Sequence, residues 1–206
     1  MTGPGTQEHW EGVYSRRRTD SVSWYEAYPA HSLEFIAEVD LDHSSPIIDI
    51  GGGASPMVDN LVGLGYRDIT LLDVSEHALD VVRRRIGAGS TFVTMMREDV
   101  TAFRPERRYA LWHDRAVFHF LTTEAARRHY IDALLNATAP GGHVIIATFG
   151  PSGPTRCSNL DTCRYDAAAL ATELGAAFQL RRSSLVDHLT PNAVSQQFLY
   201  TLFARR

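Results

Sequence analysis

Apolar positions along the chain fall into short runs separated by amphipathic stretches, regularly enough to lay out the elements in order. Pro46-Ile47-Ile48-Asp49-Ile50 reads as a buried strand stopped by Gly51-Gly52-Gly53, after which Met57, Leu61, Val62 and Leu64 mark a helix that ends at Gly65. Ile69-Thr70-Leu71-Leu72-Asp73 reads as a second strand, with Ser75 as N-cap of a helix that places Ala78, Leu79, Val82 and Ile86 on one face. A third strand is expected over 91–96 and a fourth over 109–112. Thr122 or Thr123 can cap the helix carrying Tyr130, Ile131, Leu134 and Leu135, with a stop over 136–142 and a fifth strand over 143–149. Repetition of strand, helix and strand implies right-handed crossovers and a parallel sheet covered on both faces. The rhythm then changes. After a helix near 166–174, the segments 178–189 and 196–205 are separated only by the turn Thr190-Pro191-Asn192-Ala193, which predicts an antiparallel pair.

Composition narrows the chemistry. All 20 basic residues are arginine, so the sequence holds no lysine for a Schiff base, a pyridoxal-phosphate anchor or a GxxxxGK[ST] phosphate loop. At 206 residues a single domain spanning 1–206 is expected, and folding would bury roughly 70% of the extended chain's surface. With 20 basic residues against 24 acidic ones the formal charge is −4, which supplies no global positive field for nucleic acid or an anionic membrane. A small substrate fits better. The arginine pairs and triplets, such as Arg83-Arg84-Arg85, read most simply as solvated faces. Met1-Thr2-Gly3-Pro4-Gly5 opens no apolar leader, and no later apolar run approaches the ~18 residues of a membrane span, so a soluble, cytoplasmic protein is expected. Cys157 and Cys163 are too few for a disulfide framework and unlike a paired metal site; free thiols and no metal are expected.

Asp49-Ile50-Gly51-Gly52-Gly53-Ala54-Ser55 lies where the first strand meets the first helix, at the carboxyl edge where open α/β sheets bind ligands. Glycine there lets backbone approach a ligand. The dinucleotide fingerprint G-x-G-x-x-G would need glycine where Pro56 stands; Pro56 suits a first helical turn instead. Asp73 ends the second strand, where a carboxylate can accept from both hydroxyls of a ribose. Glu98-Asp99-Val100 follows the third, where Asp99 either accepts from an adenine amine, with Val100 packed on the base, or caps a turn.

These motifs together resemble the class I S-adenosylmethionine-dependent methyltransferases. The segment 49–55 is similar to their D-x-G-x-G-x-G loop, with Ser55 in place of the last glycine, and Thr138-Ala139-Pro140-Gly141-Gly142 is similar to their L-x-P-G-G turn, with Thr138 in place of the leucine. The resemblance implies a three-layer α/β/α sandwich, its mostly parallel seven-stranded sheet ending in an antiparallel hairpin, with an N-terminal helical lid over 1–45 and a Rossmann-like core over 46–206. It implies S-adenosyl-L-methionine as cofactor and S-adenosyl-L-homocysteine as product. By the same resemblance Asp49, Gly51 and Gly53 lie along the methionine part of the cofactor, Asp73 and Val74 at the ribose, and Asp99 and Val100 at the adenine.

Two further clusters bear on chemistry. His9-Trp10-Glu11-Gly12-Val13-Tyr14 and Ser23-Trp24-Tyr25 place aromatics in a polar stretch, where they either clamp an N-terminal helix onto the sheet or form a lid. As a lid, Trp10, Tyr14 and Trp24 would bind the cofactor, an aromatic face attracting a sulfonium by ~0.5–2 kcal/mol. Trp112-His113-Asp114-Arg115-Ala116-Val117-Phe118-His119-Phe120 begins at the fourth strand's carboxyl end. Its Asp-Arg-Ala run is similar to a segment of thiol, thiopurine and halide methyltransferases, so His113, Asp114 and Arg115 are the expected catalytic group. His113 is the first choice as general base, His119 reads as a core histidine, and Asp114 with Arg115 can instead pair and brace the loop. The expected activity is methyl transfer by direct displacement to a small-molecule nucleophile, thiol-like by preference, in a monomer or homodimer. The alternatives are a protein side-chain methyltransferase, a non-catalytic nucleotide-binding protein and an NAD-dependent enzyme.

Overall fold

The computed structural model describes residues 7–206; the first six residues of the expected lid lie outside the described ones. An N-terminal segment carries α1 (Gln7–Arg16), a 3₁₀ turn at Thr19–Ser21 and α2 (Ala30–Glu38). Then follow β1 (Ile47–Ile50), α3 (Met57–Gly63), β2 (Ile69–Asp73), α4 (Glu76–Ile86), β3 (Val93–Arg97), β4 (Tyr109–Arg115), α5 (Glu124–Ala137) and β5 (Thr138–Phe149). A two-residue pair, β6 (Arg156–Cys157) with β7 (Leu160–Asp161), precedes α6 (Ala167–Leu174) and the hairpin β8 (Phe178–Leu189) and β9 (Ser195–Arg205).

Seven strands form one sheet in the order β3-β2-β1-β4-β5-β9-β8. The strands from β3 to β5 pair in parallel, and β9 runs antiparallel to both β5 and β8. Two apolar layers flank the sheet: Phe35, Ile36, Met57, Leu61, Leu79 and Val82 of α2, α3 and α4 cover one face, and Tyr130, Leu134, Leu170 and Leu174 of α5 and α6 cover the other. Alternation along β1 feeds both layers, Ile47 to the first and Ile48 and Ile50 to the second. Because β2 and β4 sit on opposite sides of β1, the chain switches direction there and leaves a crevice at the carboxyl ends of these strands.

Two helices start on predicted caps, Ser75 and Thr123, and a third starts on Asp166. Ser75, Thr123 and Asp166 accept from the backbone N–H of Ala78, Ala126 and Ala169. Pro56 is an N-cap, one position before the first helical turn. Three boundaries differ from expectation. The third strand starts at Val93 because 87–92 coil into a 3₁₀ turn. The stop expected over 136–142 is split: α5 runs to Ala137, and Thr138 to Gly142 form an irregular start of β5, where Tyr109 and Leu111 face Thr138 and His143 around Gly141 at φ +74°. β4 extends to Arg115, because β1 and β5 pair with its polar end on both sides.

That extension buries Asp114 completely. Its carboxylate accepts from the N–H groups of Val117 (2.9 Å) and Phe118 (3.1 Å), which hold the turn at Ala116, a non-glycine residue at φ +73°. It also accepts from the hydroxyl of Tyr130 (2.6 Å), which in turn accepts from the indole N–H of Trp112 (2.9 Å). Burial pushes the Asp114 carboxyl up to about 6 against the pull of these donors. Tyr130→Phe orphans the Trp112 N–H and takes one donor from the carboxylate, so it is expected to lower unfolding free energy by about 1–3 kcal/mol at pH 8. The folded-state pKa already lies above the unfolded value and rises further in the variant, so the carboxylate's share of the loss is confined to pH above about 6, while the share from the orphaned Trp112 N–H persists at pH 5 and the total is smaller there. Urea unfolding at both pH values checks this; an equal loss at pH 5 and pH 8 would contradict it.

Candidate functional site

The crevice is floored by the glycine loop. Gly51 and Gly53 take φ of +57° and +54°, and a Cβ on either would run into Val117 or the Tyr14 hydroxyl. Arg85, from the run expected to face solvent, reaches across to donate to the carbonyls of Ala54 (2.8 Å) and Ser55 (2.6 Å) and pairs with Asp59, fixing the far side of the loop. Asp73 fixes the near side. It accepts from the Gly53 N–H and the Ser75 N–H, both at 2.8 Å, and burial pushes its carboxyl up to about 6 despite these donors. Ser75 gives its hydroxyl proton to Glu11 of α1 (2.7 Å), and the His77 N–H donates to the same carboxylate, so α1 docks on the positive end of α4.

Above the floor is a cavity of about 340 Å³, within the ~300–1,000 Å³ of small-molecule sites. Its walls bring together Trp10, Tyr14, Trp24, Gly51, Asp73, Val74, Asp99, Val100 and Arg115 from the expected set. Trp10 packs edge-on against Trp24 (5.8 Å between centroids) and Phe120 (5.1 Å), roofing the cavity. Asp99 caps a turn, one oxygen accepting from the Thr101 N–H (2.8 Å) and hydroxyl (2.7 Å). A smaller cavity of about 40 Å³ adjoins it, sharing Tyr14, Trp24, Gly51 and Arg115 and lined in addition by Asp49 and His113.

The expected catalytic group divides three ways. His113 does not line the larger cavity: its Nδ1–H donates to Asp49 (2.6 Å) and its Nε2 faces the Ser32 hydroxyl (2.9 Å), so both nitrogens are engaged beneath the loop. Asp49 keeps its second oxygen unpartnered. Asp114 turns away into the core under α5 and does not pair with Arg115. Arg115 alone of the three lines both cavities. Its guanidinium donates to the Tyr200 hydroxyl (2.9 Å) and the Trp24 carbonyl (2.8 Å), lies 3.0 Å from Glu26 and sits over the Phe198 ring. Burial works against the Glu26 carboxylate, but His188, with Nδ1 3.3 Å away, and the Arg115 charge outweigh it and hold its pKa below the usual range. His188 of β8 also donates to the Ser23 carbonyl (2.8 Å), so the hairpin and β4 together pin 23–26 over the site.

Glu11, Glu26, Ser32, Tyr200 and Phe198 carry no local signal in the sequence. Each meets its partner from a distant element, as Tyr200 meets Arg115 across 85 residues. Among the described residues no group of three His, Cys, Asp or Glu is arranged to hold a metal ion, and no helix is long and apolar enough to cross a membrane.

No family model matches the chain. It is 25% identical over 124 residues to the eEF1A lysine and N-terminal methyltransferase of Mus musculus, a match covering 58% of this chain and 17% of that protein. It is 24% identical over 132 residues to malonyl-[acyl-carrier protein] O-methyltransferase 2 of Ilyobacter polytropus, covering 64% of this chain and 49% of that one. The chain thus spans less than two thirds of the length of both relatives. The crystal structure of the N-methyltransferase NodS from Bradyrhizobium japonicum with S-adenosyl-L-homocysteine superposes with a TM-score of 0.74 at 16% identity, over 96% of this chain and 98% of NodS. The fold is that of the class I S-adenosylmethionine-dependent methyltransferases, and the relatives by sequence are methyltransferases as well.

Arg115→Leu leaves Glu26 largely buried without its cation, and is expected to lower unfolding free energy by about 3 kcal/mol. Adding Glu26→Gln is expected to cost less than the sum of the two single changes. Urea unfolding of the cycle measures the coupling; strict additivity would show that the pair does not hold the segment.

Proposed function

We propose that the chain is a methyltransferase that takes its methyl group from S-adenosylmethionine and passes it to a small molecule by direct displacement. When bound, this cofactor supplies an electrophilic methyl group on a sulfonium. The observation that carries the reading is that Asp73, and Asp99 with Val100, stand at the ends of successive strands on the wall of one cavity roofed by Trp10 and Trp24.

The residues present fit that group. The positive-φ glycines leave the loop backbone bare of side chains, and Asp49 offers a buried oxygen with no partner, matched to an ammonium. Gly51, Gly53 and Asp49 would hold the methionine part, Asp73 and Val74 the ribose, and Asp99 the adenine amine through the oxygen that Thr101 leaves free, with Val100 against the base. Tyr14 would join the two tryptophans in facing the sulfonium and excluding water. His113 would act on Asp49, orienting it through Nδ1, and Asp114 would shape the turn at Ala116; neither is assigned a proton transfer. Displacement needs in-line placement and a dry site, and a base only where the acceptor arrives protonated.

A small acceptor is favoured over a protein side chain because Trp10 and Trp24 are packed in place over the cavity. A protein acceptor is the second reading, supported by the relative that methylates eEF1A. A cytoplasmic setting is part of the proposal, in keeping with two free cysteines.

Calorimetry tests the cofactor assignment: S-adenosylhomocysteine is expected to bind and NAD to fail, and binding of NAD alone would overturn it. Asp73→Asn is expected to weaken S-adenosylhomocysteine binding roughly tenfold to a hundredfold, by about 1.5–3 kcal/mol. Hydroxyls donating to Asp73 favour its ionised form, so wild-type affinity is expected to be level above pH 6 and to fall below it, up to about tenfold per pH unit. In Asp73→Asn that fall is expected to vanish. A wild-type affinity unchanged between pH 5 and pH 7 would remove Asp73 from the site.

A further inference from the structure

The cavity's far side holds a hydrogen-bond donor that the protein itself leaves unused. His119 sits on the 3₁₀ turn Phe118–Phe120, fully buried, its ring stacked on Phe149 at 4.2 Å between centroids. The Phe149 backbone N–H donates to Nδ1 (3.1 Å). A ring that accepts at Nδ1 carries its proton at Nε2, and Nε2 has no partner. A buried donor left unpaired is unfavourable, so this position favours any ligand that brings an acceptor.

Its surroundings narrow what that ligand is. His119 and Arg115 flank the Phe198 ring, 6.3 Å and 4.9 Å from its centroid, and Phe120, Phe149 and Trp24 complete an aromatic wall. Burial, reinforced by the Arg115 charge facing it, holds the His119 imidazole's pKa down to about 3, so the ring is a neutral donor at any physiological pH and not a base. The other titratable groups on this side, Tyr14 and Cys157, are pushed up by burial and hold their protons. Asp73 ends β2, and Glu98 and Asp99 lie in the loop after β3, across β1 from this wall. Glu26, the carboxylate 3.0 Å from Arg115, lines the smaller cavity and not this wall, and its pKa is held below the usual range, so among the residues lining this wall a neutral nucleophile would find no effective proton acceptor.

We propose, resting on the methyltransferase reading above, that the acceptor is a small anion on an apolar or aromatic body, its charged atom held by the Nε2–H of His119 beside the Arg115 guanidinium. Thiolates, phenolates and carboxylates share this chemistry. The anion's lone pair forms the new bond to the methyl carbon as the carbon–sulfur bond breaks and its electron pair returns to sulfur. A negative and a positive charge become two neutral products, and no proton leaves. Nε2 is covered in this structure, so an acceptor reaches it as the side chains packed on the ring, among them Phe120 (4.5 Å between centroids), shift.

The test is calorimetry on the full chain saturated with S-adenosylhomocysteine, titrated with thiophenol and benzoate against toluene and benzylamine at pH 7.5. At least one anion is expected to bind about tenfold or more tightly than the uncharged and cationic ligands, and His119→Phe is expected to remove most of that preference while S-adenosylhomocysteine affinity stays within about twofold. Equal binding of all four ligands to the wild type overturns the proposal, as does a folded His119→Phe that keeps the full preference. The wild-type comparison stands even if the variant does not fold. The same titrations without S-adenosylhomocysteine separate the two claims: an anion preference in a protein that fails to bind S-adenosylhomocysteine sinks the methyltransferase reading alone, whereas S-adenosylhomocysteine binding without an anion preference sinks this one alone.

Discussion

A single buried carboxylate sets the register of the site. Asp73 gives one oxygen to the Gly53 N–H and the other to the Ser75 N–H, so the end of β2, the glycine loop and the start of α4 are fixed against one another by one side chain. Ser75 passes the constraint to Glu11 and hence to α1. Burial makes ionised Asp73 unfavourable, which is the condition under which hydroxyl groups of a ligand donating to it gain most. The loop conformation, the approach of the N-terminal segment and the chemistry of the pocket wall all follow from that placement.

On the other side of β1 the same principle works through a cation. Arg115 is buried at the end of β4, where its guanidinium donates to Tyr200 of β9 and to the Trp24 carbonyl and forms an ion pair with Glu26 of the N-terminal segment. The hairpin that ends the sheet thereby gains a role beyond packing: it supplies Phe198 to the wall, Tyr200 to the Arg115 guanidinium and His188 to the Ser23 carbonyl of the segment over the site. Charge is distributed unevenly across the crevice, carboxylates at the ends of β2 and β3 and a cation with a neutral imidazole donor beyond β4. A cationic cofactor at one end and an anionic acceptor at the other match that gradient. No lysine is needed anywhere in it, and arginine's fixed fork suits the task of holding a carbonyl, a hydroxyl and a carboxylate at once.

The parts legible in the sequence are those governed by local rules. Ser75 and Thr123 announce their helices because an N-cap satisfies backbone donors a few residues away, and the Thr190-Pro191-Asn192-Ala193 turn marks the hairpin because its strands are adjacent in the chain. The glycine loop and the acids following β2 and β3 were readable for the same reason. What was hidden depends on pairs far apart in sequence. Asp114 and His113 read as polar loop residues beside the substrate, but pairing with β1 and β5 buries them in a central strand, where the hydrophobic pattern gives no sign of β-structure. Ser32 and Asp49 claim His113, Tyr130 claims Asp114, and Glu26 with Tyr200 claims Arg115. His119 read as a core histidine and is one at Nδ1, while its free Nε2 emerges only from the partner count of the folded protein.

The central claim is that this crevice catalyses methyl transfer to a small molecule. The most direct measurement incubates the protein with methyl-labelled S-adenosylmethionine and a mixture of thiols, phenols, carboxylic acids and amines together with protein acceptors, and follows where the label goes by mass spectrometry. The account predicts label in a small-molecule product with an equal amount of S-adenosylhomocysteine formed. Label recovered only in protein, or no S-adenosylhomocysteine with any acceptor, would contradict it.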